Sequence, residues 1–462
     1  MIEDDLMKEK ISLRPYQIEA IQSFEQNNYV GILDMATGTG KTITSIATTS
    51  KYYDEHGKIF LVIIVPYLHL IDQWFAELNK FGWKDYIRIS GSKKDWMAKV
   101  DKEIWNYNYG INDKVLIIGS YKSMAKKEFR DRIKNVHENS FLIADECHYA
   151  GQNAFREHSL ITFDARLGLS ATPRRWWDEE GTREVHRLFG KVIFGFSLQD
   201  AINAGFLTPY NYNPIVVSLT DEEYSIYADL TIKISKMIAQ KKLTKEENEI
   251  LKNLILKRAR IIQNAEGKLD IFYNLILEQQ DLKYTLVYCG VGQVDKIVRG
   301  LADRGIVTHR FNWEVSQKDR KKVLDRFENG DIQVLVAVKC LDEGVDIPAT
   351  REAYFLASTT NPREFVQRRG RILRKSKGKR DAKVNDFIVL PSDFGDYNIL
   401  KNIAQKELPR FAEFSSFAEN EFHSRAKISG YLEPYHLEHL MNILPWEMYE
   451  MNKIEEEILN DY

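Results

Sequence analysis

Residues 35–42, MATGTGKT, decide how this chain is read. They follow an apolar run containing Tyr29, Val30, Ile32 and Leu33, and lead into Ile43, Ile46 and Ala47 at helical spacing. A strand, a glycine turn and a helix start are expected in that order. Gly38 and Gly40 let the backbone turn and approach an anion closely. Successive N–H groups, with those of the following helix N-terminus, then face phosphate. Lys41 supplies positive charge for the β- and γ-phosphates, and the Thr42 hydroxyl suits Mg²⁺. Thr37 and Thr39 complete the candidate nucleotide-binding loop. The general phosphate-loop pattern has glycine where this chain has Met35, so the match rests on Gly-x-Gly-Lys-Thr.

A second motif supports the first. Asp145-Glu146-Cys147-His148 ends the apolar run FLIAD (141–145). A carboxylate at the carboxyl end of a parallel strand lies where α/β sheets bind ligands. Asp145 is the candidate Mg²⁺ ligand, and Glu146 the group that polarises an attacking water. An isolated Asp-Glu pair is an ordinary solvated turn; a buried strand before it and a phosphate loop upstream give it this meaning.

Further outward, IFLVIIV (59–65) and VLIIG (115–119) are short β-rich runs, each followed by polar or helix-like sequence. The texture returns at YTLVY (284–288), QVLVAV (333–338) and DFIVL (386–390). That alternation predicts parallel sheets covered by helices. Residues 220–262 contain no Gly or Pro and are rich in Lys, Glu, Ile and Leu, so they should be helical. We therefore expect a first α/β lobe over 1–212, a helical insertion over 213–262, a second lobe over 263–395 and a small acidic helical appendix over 396–462.

Bulk properties agree with a globular protein of two or three domains: 462 residues, 44% hydrophobic and 29% charged. No run approaches the roughly 18 apolar residues of a membrane span. The N-terminus, MIEDDLMKEK, is unlike a secretory signal. Cys147, Cys289 and Cys340 are widely spaced, give no metal motif, and suit a reducing, cytoplasmic setting. Net charge is −2, but Pro391–Tyr462 holds 14 acidic against 6 basic residues, so the rest of the chain is mildly basic. Such a body permits a phosphate-binding groove and is equally compatible with ordinary solvated faces.

These residues bring a family into view. From Leu13 to Arg374 the chain resembles superfamily 2 helicases and translocases of the DExH type, with the box written DECH. LRPYQIEAI (13–21) is similar to the upstream adenine-reading motif, with Arg14 and Gln17 as base contacts. VPYLHLIDQW (65–74) and GSYKSM (119–124) resemble motifs Ia and Ib, LSATPRR (169–175) contains motif III, KCLDEGVDIP (339–348) resembles motif V, and QRRGRILR (367–374) motif VI. The resemblance implies two RecA-like lobes with ATP and Mg²⁺ in the cleft between them. Arg371 and Arg374, three apart and so expected on one helix face, would act as arginine fingers, worth ~10³–10⁵ in rate in related nucleotidases. Gln367 would contact the nucleotide or its water, and Arg368 would orient the site. Glu343, Gly344 and Asp346 would sense nucleotide and couple the lobes.

Nucleic-acid grips are expected just after strands, at Pro66, Ser120, Tyr121, Cys289, Gly290 and Lys339. Donors there would hold phosphate and sugar with little sequence information. Arg174, Arg175, Trp176 and Trp177 follow motif III and offer stacking on a base or a wedge; otherwise one Trp is core and the other packs on the insertion. Lys257, Arg258 and Arg260 form either a basic stripe or a solvated face. FNWEVSQKDR (311–320) departs from relatives by carrying Trp313 where a small turn is usual, while Gln317 and Arg320 fit the usual helix start.

The resemblance implies an ATP-dependent DNA helicase or translocase acting on forked or branched DNA, 3′ to 5′ by analogy, monomeric, with the acidic appendix as a possible protein-docking surface. An RNA helicase, and the motor subunit of a larger defence or restriction complex, are the competing readings.

Overall fold

The computed structural model describes residues 12–152, 155, 162–175, 178–240, 243–311, 315, 317–338, 347–359, 361–390 and 395–448. The chain divides into two units, residues 1–201 and 202–462. Each is a parallel α/β lobe, as the run-and-helix alternation predicts.

The first unit is built on β1 (Val30–Met35), β2 (Ile59–Val65), β3 (Ile87–Ile89), β4 (Lys114–Ser120), β5 (Ser140–Asp145), β6 (Ala165–Ser170) and β7 (Val192–Phe196). Their order in the sheet is β3-β4-β2-β5-β6-β1-β7, with every pairing parallel. All seven residues of β2 are buried. Helices on both faces of a parallel sheet remove the in–out alternation, which is why IFLVIIV is apolar throughout. At the edge, β7 exposes part of its length. The helix after the phosphate loop, Lys41–His56, stops at Gly57, whose φ of 75° ends it in a left-handed cap.

The second unit contains β8 (Tyr210–Val217), β9 (Thr285–Tyr288), β10 (Thr308–Phe311), β11 (Val334–Ala337), β12 (Glu352–Phe355) and β13 (Ala382–Val389). The order is β10-β11-β9-β12-β13-β8, again all parallel. The helical insertion is two helices, Asp221–Ile238 and Lys245–Gln263, each started by a reciprocal capping box (Thr220 with Glu223, Thr244 with Glu247). Ile234, Leu251 and Ile255 form a small core between them.

Two expected boundaries move. The lobes divide near residue 201, not 212, because Tyr210–Val217 is a strand paired along its whole length with β13. YNYNPIVV ends in the same apolar texture as the other strands, but Pro214 and two Asn obscure it; the edge position tolerates the proline. The C-terminal segment is helical, as expected, but it is no appendix. Helix Tyr397–Ser415 buries twelve of its residues, and Ile399 and Ile403 belong to the core of the second unit.

Charge pairing is what lets the ionic groups of that helix be buried. Arg410 donates from Nε to both oxygens of Asp386 (2.9 and 3.1 Å) and from its terminal nitrogens to Glu407 (3.0 and 3.3 Å). Asp386 also accepts from the Tyr212 hydroxyl at 2.9 Å. Nearby, the buried Lys268 donates to Leu356 O at 2.9 Å, and burial pushes its pKa down to about 8 against the pull of Glu407. The segment after the helix seals the free edge of β8: Asn420 exchanges two hydrogen bonds with the Tyr212 backbone, and Glu419 N donates to Tyr210 O. An edge covered in this way cannot template pairing with another chain. No helix among the described residues is long and apolar enough to cross a membrane.

Candidate nucleotide site and arginine motif

The phosphate loop joins β1 to helix Lys41–His56. Gly38 (φ 89°) and Gly40 (φ 85°) are both left-handed. At Gly40 the left-handed backbone demands glycine, and a Cβ there would also press on Gln17 Nε2 at 2.8 Å. Met35 needs no such freedom. It ends β1 with its side chain in the core, which accounts for the departure from the general pattern.

The upstream motif is docked on this loop. Gln17 is buried; its Oε1 accepts from Arg14 N (2.9 Å) and its Nε2 donates to Gly40 O (3.4 Å). The Tyr16 hydroxyl donates to Thr39 O, and its ring stacks on Phe196 at 4.0 Å. Arg14 reaches that hydroxyl at 3.1 Å. Thr39 is fully buried and tied to Ala36 O at 2.7 Å, so it shapes the loop. The Thr37 hydroxyl oxygen is buried with no protein hydrogen-bond partner. Lys41 Nζ donates to Met35 O at 3.1 Å, and Thr42 is half-buried at the helix start.

Strand order brings the second motif to the first. β6 lies between β5 and β1, in a register that sets Asp145 beside Leu169 and Asp34 beside Ser170. The carboxyl ends of three neighbouring strands therefore gather the loop, the DECH box and motif III on one edge of one lobe. Both oxygens of Asp145 are engaged: Oδ2 accepts from Trp74 Nε1 and Oδ1 from Glu146 N, each at 3.0 Å. Burial, then the adjacent Glu146, pushes its pKa up to about 6 against Lys41. Glu146 adopts φ 48°, a left-handed conformation uncommon for a non-glycine residue. The Tyr121 hydroxyl holds this turn, 2.9 Å from Asp145 O and 3.3 Å from Glu146 O. His148 is buried, with Nδ1 3.5 Å from Glu146 Oε2 and 3.4 Å from Ser170 Oγ; Thr172 N donates to the same hydroxyl at 3.0 Å.

Several expected nucleic-acid contacts are placed otherwise. Tyr121 is buried beneath the DECH box, and Ser120 is the buried N-cap of the short helix that follows. Arg175 is spent within the lobe, on Asp178 (2.8 Å) and His148 O (2.7 Å), bracing the box from behind. Arg174 is exposed, and Pro66 is half-buried beside exposed Tyr67 and Leu68. Cys289 is buried at the end of β9, and Gly290 N donates to Gln293 at 3.2 Å. Trp176, Trp177, Trp313, Lys339, Glu343, Gly344 and Asp346 lie outside the described residues, as does the side chain of Gln317. Arg258 points inward and is buried, with its guanidinium 5.7 Å from the Tyr227 ring, so it does not join Lys257 and Arg260 in one exposed stripe.

In the second unit the arginine motif forms helix Pro362–Ile372, capped by Asn361, which accepts from Arg363 N at 3.1 Å. Gln367, Arg368 and Arg371 are all buried. Arg368 pairs with Glu364 (3.3 Å) and lies over the Tyr288 ring. Arg374 does not share a helix face with Arg371: the helix ends at Ile372, and Arg374 forms an isolated bridge with Leu207.

Sequence reading overlooked three members of the first site. Tyr16 stands between Arg14 and Gln17 in LRPYQ, and Trp74 closes VPYLHLIDQW. Asp34 directly precedes the loop, and burial pushes its pKa up to about 6 against Lys41.

A left-handed glycine loop followed by Lys41, with the half-buried Asp145 and Glu146 at the end of the next strand but one, is the arrangement found in nucleoside-triphosphate hydrolases of the P-loop class. Two family profiles match the chain: "Type III restriction enzyme, res subunit" over residues 10–175 and "Helicase conserved C-terminal domain" over residues 267–376. The chain is similar to the superfamily 2 helicases and translocases, and is an ATP-hydrolysing enzyme of the helicase type. It is 26% identical to the DNA 3'-5' translocase XPB2 of Sulfurisphaera tokodaii over 80% of each chain. It is 24% identical to the DNA 3'-5' helicase XPB of Kineococcus radiotolerans, over 85% of this chain and 62% of that one. Among solved structures, the ATP-dependent Type ISP restriction-modification enzyme LlaBIII bound to DNA has the same fold over 97% of this chain and 33% of its own, with a TM-score of 0.61 and 18% identity.

Proposed function

We propose that this protein is a DNA translocase or helicase that turns over ATP with Mg²⁺ and moves 3′ to 5′ along its track. The observation that supports the reading most is the joining of loop, DECH box and motif III at the carboxyl edge of one sheet, with Glu146 held in a strained turn beside Asp145. Relatives named as DNA motors favour DNA over RNA.

The donor set suits Mg²⁺: a hydroxyl at Thr42 and a carboxylate at Asp145 are hard oxygen ligands. Two adjacent acidic side chains, with Lys41 as the cation acting on Asp145, also leave negative charge that a divalent ion would offset. When bound, the ion neutralises charge on the phosphate oxygens. Lys41 draws the phosphates to the loop, Glu146 orients the attacking water, and Arg371 with Arg374 supplies positive charge to the transition state. ATP performs work only through its different affinity for two conformations of the motor. DNA contacts are to backbone, so binding is salt-sensitive and indifferent to sequence.

A second reading has one observation behind it, the match of residues 10–175 to a restriction-enzyme subunit: the chain is the motor of a larger assembly. One panel separates the alternatives. ATP turnover is measured with no nucleic acid and with single-stranded DNA, duplex DNA, forked DNA and RNA. Stimulation by DNA is expected; stimulation by RNA alone removes the proposal, and silence with all of them favours the assembly reading. Lys41→Ala should abolish turnover, whereas Glu146→Gln should bind nucleotide and lose at least ~10²-fold in rate.

A further inference from the structure

Arg369 is a third arginine of the motif VI helix, and nothing in the proposed chemistry uses it. It is among the largest fully buried side chains, at 1% exposure. Nη2 donates to Glu413 Oε1 at 2.7 Å, and Nη1 donates to Glu413 O at 2.7 Å and to the Tyr210 hydroxyl at 3.3 Å. Its guanidinium lies 5.2 Å from the Phe414 ring and 5.5 Å from the Phe417 ring. No bound molecule can reach a group so enclosed.

The geometry of the helix gives this burial a consequence. Residues two apart differ by about 200° in direction, so Arg369 and Arg371 point to opposite sides. Phe365, one turn before Arg369, packs its ring edge-on against Phe414 at 5.6 Å. The back of the motif VI helix is thus fixed to helix Tyr397–Ser415 by one apolar and one charged contact, while its front carries Arg371. That second helix is itself fixed to the sheet one turn earlier, through Arg410 and Asp386. Tyr210 closes the frame: its hydroxyl donates to Phe414 O at 2.6 Å, beside the Arg369 contact.

We propose that Arg369 and Glu413 are positioning residues for ATP hydrolysis, a strut by which the C-terminal helix sets the placement of Arg371. The proposal rests on the role given to Arg371 above. Displacing a charge-stabilising group by about 1 Å can cost ~10²-fold in rate without altering what the enzyme binds. A strut that serves stability alone would lower the melting temperature and leave turnover per folded molecule unchanged.

The test is a double-mutant cycle on the full chain. Arg369→Met and Glu413→Gln are each made alone and with Arg371→Ala, and kcat, KM for ATP and binding of a fluorescent ATP analogue are measured on folded protein. The expected result is a kcat loss of roughly 10–100-fold for Arg369→Met, a smaller one for Glu413→Gln, unchanged analogue binding, and no further loss when Arg371 is already alanine. Glu413→Gln keeps the shape and an acceptor oxygen, so it carries the test if Arg369→Met does not fold. Normal kcat in the folded single variants, or a full additional loss on the Arg371→Ala background, overturns the proposal. If Arg371→Ala alone turns over normally, it is the role of Arg371 that fails, a separate outcome.

Discussion

Arg410→Met asks whether the C-terminal helix is part of the motor. The native guanidinium is shared by two carboxylates, with side chains 0% exposed at Asp386 and 6% at Glu407. Burial holds the Asp386 carboxyl above its usual range even with Arg410 beside it. At Glu407 burial pushes the same way, but Arg410 and Lys268 outweigh it and hold that carboxyl below. Methionine preserves most of the buried volume and removes the charge. Breaking a buried pair from one side costs ~3–5 kcal/mol, and here two acids lose their partner, so the upper end applies. For a unit of this size, where each kcal/mol moves the midpoint by roughly 2–4 °C, a fall of roughly 10–20 °C is expected at neutral pH. The sign of the pH dependence follows. Without Arg410, burial holds Asp386 still further above its unfolded pKa, so the folded state binds more protons there and stability recovers as pH falls through that raised value. Thermal unfolding followed by circular dichroism, at neutral pH and about one unit above the usual carboxylate range, measures both effects. A midpoint within about 2 °C of the parent at neutral pH would refute the reasoning, as would a deficit that grows on acidification.

Other outcomes are expected from the same geometry. Ending the chain before Tyr397 should leave the second unit unfolded, since it removes Arg410, Glu407 and the cover of the β8 edge; proteolysis-resistant, cooperatively melting protein would contradict this. Tyr121→Phe should cost about 1 kcal/mol of stability and lower kcat by roughly tenfold, because the hydroxyl that holds the Glu146 turn is lost; single-turnover ATPase rates check it, and an unchanged rate would assign Tyr121 to packing alone. The acid limb of kcat/KM for ATP should fall near pH 6, where Asp145 takes up a proton and loses its capacity to bind a cation. Asp34→Asn should leave that limb in place; if the limb disappears, it belongs to Asp34 instead.

The chemistry of the first site was legible in the sequence because it is local. Gly38, Gly40, Lys41 and Thr42 are consecutive or nearly so, and the phosphate loop works through backbone N–H groups that its glycines release. Asp145 and Glu146 were readable for a similar reason: Asp145 ends the apolar run FLIAD and Glu146 directly follows it. The helical character of residues 220–262 followed from composition, and the structure adds the two threonine capping boxes.

What the sequence could not carry was partnership over distance. Tyr121 and Arg175 looked like ligand contacts because hydroxyl and guanidinium groups after strands serve that purpose; which way each faces depends on neighbours it meets only in the folded chain. Arg371 and Arg374 looked like one helix face because a motif does not show where its helix stops. The acidic C-terminal segment read as an appendix, for composition counts charges and cannot see that Glu407 and Glu413 are matched by Arg410 and Arg369. Sequence by itself determined the parallel α/β lobes and the local glycine loop suited to phosphate. Tertiary structure alone decided which charges face the ligand and which are buried as struts, since desolvation is tolerable only where an opposite charge, separated by many residues in the chain, arrives at hydrogen-bonding distance.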